Sequence, residues 1–138
     1  MKKQIVYYPG WELKAFDKAK NFRNYQYSLI KKFIKGRLVE IGPGNGSVLK
    51  LYIKKVKSIN LFEPSKNLFL NLKRSLKRKK NIRYFNRQFK LKKNYYDSIL
   101  YLDVLEHITG DKAEFLKAYK SLKKGGCLII NVPAFQYL

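Results

Sequence analysis

The sequence predicts an α/β sandwich, an open and mostly parallel sheet of about five strands with helices on both faces. Three observations lead there. Short apolar runs alternate with amphipathic helical patterns along the chain, as in successive strand-helix-strand units with right-handed crossovers. One run, from Tyr96 to Asp103, is almost continuously apolar at its centre, which suits a strand buried on both faces of a parallel sheet. Glycines at alternate positions, Gly42, Gly44 and Gly46, directly follow an earlier run, as where a strand turns tightly into a helix.

Taken in order, residues 11–34 carry Leu13, Phe16, Tyr27, Ile30 and Ile34 at helical spacing, so one or two helices precede the sheet, with a break expected near Asn21 to Asn24. Trp11, Tyr25 and Tyr27 either close over a ligand or pack on the sheet edge, and packing is the simpler expectation. The first strand is 37–41. A helix is expected from about Ser47 to Lys54, with Asn45 and Ser47 as capping residues. Residues 58–63 form a second strand, stopped by Pro64. Ser65 then starts a helix from 66 to about 80, with Leu68, Leu72 and Leu76 as its buried stripe and Lys73, Arg74, Lys77, Arg78, Lys79 and Lys80 facing out. That basic run reads as a solvated face near the negative end of a helix dipole. Residues 82–85 are a short third strand and 96–103 the fourth. A helix follows from Asp111 to Leu122, opened by a capping box of Asp111 and Glu114, with Phe115, Tyr119 and Leu122 facing inward and Gly125-Gly126 ending it. Cys127 to Val132 is the last strand, closed by Pro133.

At 138 residues the chain is one domain, 1–138, and short enough that an incomplete one is expected. No apolar run approaches the roughly 20 residues of a membrane span. The N-terminal apolar stretch is too short for a signal peptide and is cut by Pro9 and Gly10. The single cysteine, Cys127, cannot form an internal disulfide, which fits the cytoplasm. The 31 Lys and Arg against 9 Asp and Glu give a net charge of +22, a balance found in nucleic-acid binders. Against that, 25 of the basic residues are lysine and 6 arginine, and specific phosphate or base recognition tends to recruit arginine. Lysine spread over all solvated faces is the favoured expectation, with weak polyanion contact as the alternative.

With so few acids, their placement is informative. Glu40, Glu63 and Asp103 each fall at the C-terminal end of an expected strand, the edge where open α/β sheets hold ligands. Glu63 lies 21 residues after Gly42, where a carboxylate can accept both hydroxyls of a ribose lying over the glycine turn. Glycine turn and acid together point to an adenosine-type cofactor. The G-x-G-x-G spacing, with Glu40 two residues before it, suits a ligand bearing an ammonium group better than a pyrophosphate. No metal site is expected.

Glu40-Ile41-Gly42-Pro43-Gly44-Asn45-Gly46, Leu61-Phe62-Glu63-Pro64, Tyr101-Leu102-Asp103-Val104-Leu105-Glu106-His107-Ile108 and Leu122-Lys123-Lys124-Gly125-Gly126 resemble, in order and spacing, motifs of the class I S-adenosylmethionine-dependent methyltransferases of small-molecule type. The resemblance runs from about residue 12 to the end. It implies a Rossmann-like fold lacking the family's C-terminal strands, and S-adenosylmethionine as cofactor. Gly42, Gly44 and Gly46 would then lie under the methionine and ribose parts, Glu40 would help hold the amino end, Glu63 with Pro64 after it would serve the ribose, and Asp103 would line the site near the sulfonium. Relatives often place an acid after strand three for the adenine amino group; here Gln88 stands as the substitute acceptor. His107, the one histidine, is the candidate catalytic base for a hydroxyl acceptor, although a packing role competes. A small-molecule or lipid-linked acceptor is implied, since Asp103-Val104-Leu105-Glu106 departs from the pattern of enzymes that methylate base amino groups. RNA methylation and a non-catalytic basic binding module are the alternatives, and a dehydrogenase is disfavoured. Truncation after strand five would leave an open strand edge for a partner chain, and weak or absent activity alone.

Overall fold

The computed structural model describes residues 7–9, 18–76 and 79–133. Helix α1 (Lys20–Ile30) runs through a short 3-10 turn (Lys31–Phe33) into β1 (Arg37–Ile41); then follow α2 (Leu49–Tyr52), β2 (Ser58–Phe62), α3 (Lys66–Leu76), β3 (Ile82–Phe85), β4 (Tyr96–Leu102), a 3-10 turn (Leu105–His107), α4 (Asp111–Ser121) and β5 (Leu122–Asn131). The five strands form one sheet in the order β3-β2-β1-β4-β5, and all four pairings are parallel. Every strand therefore begins at one edge of the sheet and ends at the other.

Alternation along the central strands divides the core in two. Leu38, Ile59, Leu61, Leu100 and Leu102 pack with Leu49, Tyr52, Leu72 and Leu76 from α2 and α3, while Val39, Ile41, Phe62, Ile99 and Tyr101 pack with Phe89 and Ala118 on the other face. The expected stripe of α3 is the observed one, with Leu68, Leu72 and Leu76 all buried. At the starting edge, the fully buried Ser98 hydroxyl accepts the Lys35 N–H at 3.0 Å and lies 3.0 Å from the Phe33 carbonyl, tying the entry of β1 to β4.

Several expectations are corrected. Helix α1 is unbroken across Asn21–Asn24, and the non-helical residue is its N-cap, Ala19. Leu13, Phe16 and Trp11 lie outside the described residues, as do Lys77 and Arg78. Helix α2 is only four residues long, and its N-cap position is Val48 rather than Ser47 or Asn45. The inner face of α4 is Glu114, Ala118 and Ser121, and Phe115 and Tyr119 point outward, Tyr119 74% exposed. The physical reason is a polar seam: the Glu114 carboxylate accepts the buried Tyr101 hydroxyl at 2.7 Å and pairs with Lys117, and the Ser121 hydroxyl accepts the Lys92 N–H at 3.1 Å. Ala118, wholly buried, permits the close approach. With Glu114 so engaged no capping box forms; Gly110, in the left-handed region, precedes the helix instead. The last strand begins at Leu122, and Gly125 and Gly126 form an irregularity inside it, where the register against β4 jumps from Tyr96↔Leu122 to Ser98↔Cys127.

Candidate functional site

The topology places the site. Chain order reverses between β1 and β4, which lie side by side although β2 and β3 come between them in sequence, and open α/β sheets bind ligands in the crevice at the strand ends there. A cavity of about 480 Å³ lies at that edge, lined in part by Gly42, Gly44, Glu63, Pro64, Gln88, Asp103 and His107. Seven of the sequence-predicted site residues thus converge from four strand ends. Glu40 and Gly46 are not among the lining residues.

The glycine turn is built on left-handed backbone. Gly42, Gly44 and Gly46 have φ of 64°, 54° and 70°. At Gly42 a Cβ would also stand 2.3 Å from Val104 Cγ2, so only glycine lets the end of β1 pass the loop after β4. Glu63 joins the turn to β2. Its carboxylate is buried, with one oxygen accepting the Gly44 N–H at 3.2 Å and the other the Ser65 N–H at 2.9 Å. Burial raises its pKa from 4.5, and those two amides offset part of the rise.

Glu40 lies behind the turn, on the α2 side of the sheet. It is buried, accepts the Tyr52 hydroxyl, and is pushed by burial to a pKa of about 7; the Tyr52 hydrogen bond and the charge of Arg23 oppose that rise. Tyr52, pressed by the same burial and by Glu40, is held well above its ordinary 10.0 and stays the donor.

Asp103 sits immediately after β4 with φ of 53°, a left-handed backbone that costs a non-glycine residue about 1–2 kcal/mol. Its side chain is held from three sides: Arg23 Nη1 at 3.2 Å and Gln26 Nε2 at 3.3 Å on one oxygen, and the Asn131 amide on the other. Its backbone N–H reaches the Asn131 carbonyl at 2.9 Å. Sequence reasoning missed Arg23, Gln26, Tyr52 and Asn131. For Arg23 a signal existed, because it occupies the helical stripe that continues through Tyr27, Ile30 and Ile34 and is nevertheless charged. The segment before the sheet reaches the site through Arg23 and Gln26, whereas Tyr27 packs on Tyr52 with ring centroids 6.3 Å apart and Tyr25 is exposed.

His107 is largely exposed, with Nε2 3.9 Å from Glu106 Oε1 and its ring 6.2 Å from that of Tyr8. Tyr8 also lines the cavity, its backbone clamped by Asn67, which accepts the Tyr8 N–H at 3.3 Å and donates to the Tyr8 carbonyl at 2.7 Å. Gln88 is exposed on the cavity wall beside the buried Phe89.

The family model described as a methyltransferase domain matches residues 13–137. No curated protein matches the sequence significantly. Among solved structures, an S-adenosylmethionine-dependent methyltransferase from Leishmania major superposes with a TM-score of 0.73 at 20% identity, covering 94% of this chain and 57% of its own. A Haloferax volcanii complex between the Trm112 methyltransferase activator and a protein described as a methyltransferase gives a TM-score of 0.72 at 14% identity, covering 89% and 58%. Phosphoethanolamine N-methyltransferase 2 from Haemonchus contortus, solved with phosphomonomethylethanolamine and S-adenosylhomocysteine, gives 0.71 at 20% identity, covering 79% and 28%. The chain thus spans a little over half the length of the first two and just over a quarter of the third. At these identities the superpositions speak for the fold, and the match over residues 13–137 speaks for the family. The chain belongs to the class I S-adenosylmethionine-dependent methyltransferase domain family.

Proposed function

We propose that the cavity at the β1/β4 switch binds S-adenosylmethionine and that the protein transfers its methyl group to a small-molecule or lipid-linked acceptor. The observation that carries this reading is the Glu63 carboxylate, buried at the end of β2 and fastened to the glycine turn by the Gly44 N–H, on the wall of that cavity. The lining fits a cationic ligand, since Glu63, Asp103 and Glu114 all contribute to it in a chain of net charge +22. The cofactor supplies a methyl group already activated on a sulfonium, so the chemistry is an in-line displacement.

What remains for the chain is positioning, a task worth roughly 7–11 kcal/mol when reactants are held in line. Glu63 accepts the ribose hydroxyls, with Pro64 beside it. Gly42 and Gly44 admit the ligand against bare backbone, and Gly46 supports the turn from behind. Asp103 faces the sulfonium end, Gln88 accepts from the adenine amino group, and Glu40 favours the ammonium from behind the turn. His107 takes the proton of a hydroxyl acceptor.

Titration calorimetry with S-adenosylmethionine, with NAD as control, tests the reading. Saturable S-adenosylmethionine binding, weakened about tenfold or more in Glu63→Ala by loss of hydrogen bonds to a charged acceptor, is expected. Equal binding of NAD, or an unchanged affinity in Glu63→Ala, overturns it.

A further inference from the structure

Charge is segregated along the strand direction. Of the seven acidic residues among the described ones, Glu40, Glu63, Asp103, Glu106, Asp111 and Glu114 lie at or just beyond the strand ends that carry the cavity, and Asp97 alone lies at the starting edge. The starting edge is crowded with lysine. The turn into β1 carries exposed Lys31, Lys32 and Lys35, the turn into β2 exposed Lys54, Lys55 and Lys57, and two more lysines precede each of β3 (residues 79 and 80) and β4 (92 and 93). Because the sheet is wholly parallel, all these turns fall on one side of the molecule.

They are also stitched into one surface. Gly36 carbonyl accepts the Lys57 N–H at 3.0 Å, the Asn81 amide reaches the Ile53 carbonyl at 3.5 Å, and the Asn94 N–H donates to the Lys120 carbonyl at 3.0 Å. Asp97, the lone acid, is spent internally on the Arg37 N–H at 2.7 Å and on Lys123 at 2.8 Å. Apolar side chains stand among the lysines: Leu29, Phe33 and Leu91 are 55%, 41% and 47% exposed.

We propose that this edge is a docking face for an anionic phospholipid surface, holding the protein peripherally with the cavity turned away from the bilayer. Ammonium groups interleaved with protruding Leu and Phe match the mixed charged and apolar chemistry of a lipid headgroup layer. A nucleic acid fits less well. Single-stranded recognition wants open aromatic platforms, and Tyr95 on this face already has Lys92 Nζ 3.3 Å and the Arg37 guanidinium 4.7 Å from its ring centre. Acids at the far edge and cations at this one orient the molecule before contact. No helix among the described residues is long and apolar enough to cross a membrane. The face lies opposite the cavity, so it locates the protein and does not present the acceptor.

Vesicle co-sedimentation of the full chain tests this, using phosphatidylcholine with and without phosphatidylserine at low and high salt, and labelled oligouridylate in the same buffers. Salt-sensitive binding to phosphatidylserine vesicles is expected, reduced about a hundredfold in Lys31→Gln/Lys57→Gln/Lys93→Gln and by more than that in Lys31→Glu/Lys57→Glu/Lys93→Glu. Lys20→Glu/Lys66→Glu/Lys112→Glu, with the same change in net charge, should lose less than about threefold. Urea midpoints confirm that the variants fold. Equal losses in the two Glu triples, no preference for phosphatidylserine, or tighter binding of oligouridylate than of vesicles would each overturn the proposal.

Discussion

The Glu40 carboxyl gives the chain a pH dependence that one substitution should remove. Buried behind the glycine turn, it is lifted from 4.5 to about 7. A native state that holds a proton which the unfolded chain has released loses stability as pH rises, here from about 4.5 to about 7, and levels off above. At 1.36 kcal/mol per pH unit the full effect is about 3 kcal/mol, most of which falls between pH 5 and pH 8. Glu40→Gln keeps the shape and leaves an oxygen to accept from Tyr52, but cannot ionise. Urea unfolding of both proteins at pH 5, 6, 7 and 8 reads the difference. The variant should gain on the wild type by about 2–3 kcal/mol from pH 5 to pH 8, and subtracting the two curves removes the other titrating groups that Glu40 does not touch. A difference flat to within about 0.5 kcal/mol would refute the reasoning, and one of opposite slope would mean that the Tyr52 hydrogen bond and Arg23 outweigh burial.

Arg23→Met removes a charge that lowers the Glu40 pKa, so the pH at which stability levels off should move upward in the same urea series, whereas loss of a purely structural contact would lower stability without moving that pH. Gly42→Ala sets a Cβ 2.3 Å from Val104 Cγ2 at a φ of 64°; left-handed strain of about 1–2 kcal/mol and overpacking of about 1–3 kcal/mol should appear in the urea midpoint, with weaker cofactor binding by calorimetry. Ser98→Ala deprives the Lys35 N–H of its buried acceptor and should cost about 1–3 kcal/mol in denaturant unfolding, leaving the cavity at the far edge able to bind ligand.

Much of the frame was legible because it rests on local rules. Strand β1 is where the sequence places it, and the Leu68/Leu72/Leu76 stripe needed only the helical period. Glycine spacing and the acid 21 residues on located the cavity wall because backbone geometry, not side-chain packing, constrains both. The phase of α4 was not legible. Phe115, Tyr119 and Leu122 share a helical face just as Glu114, Ala118 and Ser121 do, and the choice is made by Tyr101, a partner on another strand. The clamp on Asp103 was equally hidden, since Arg23, Gln26 and Asn131 meet it across separations of 80, 77 and 28 residues.

The central position of β1 also has a consequence during synthesis. Its partner β2 follows within some twenty residues, but Leu38 pairs on the other side with Ser98, sixty positions later. At about 5–20 residues per second a ribosome needs roughly 3–12 s to supply that second neighbour. For this interval the unit of β1, β2 and β3 has a bare hydrogen-bonding edge along the central strand of the future sheet. The nascent chain is most open to chaperone capture or misassociation between the emergence of β3 and that of β4, and slowing translation there would lengthen the exposure.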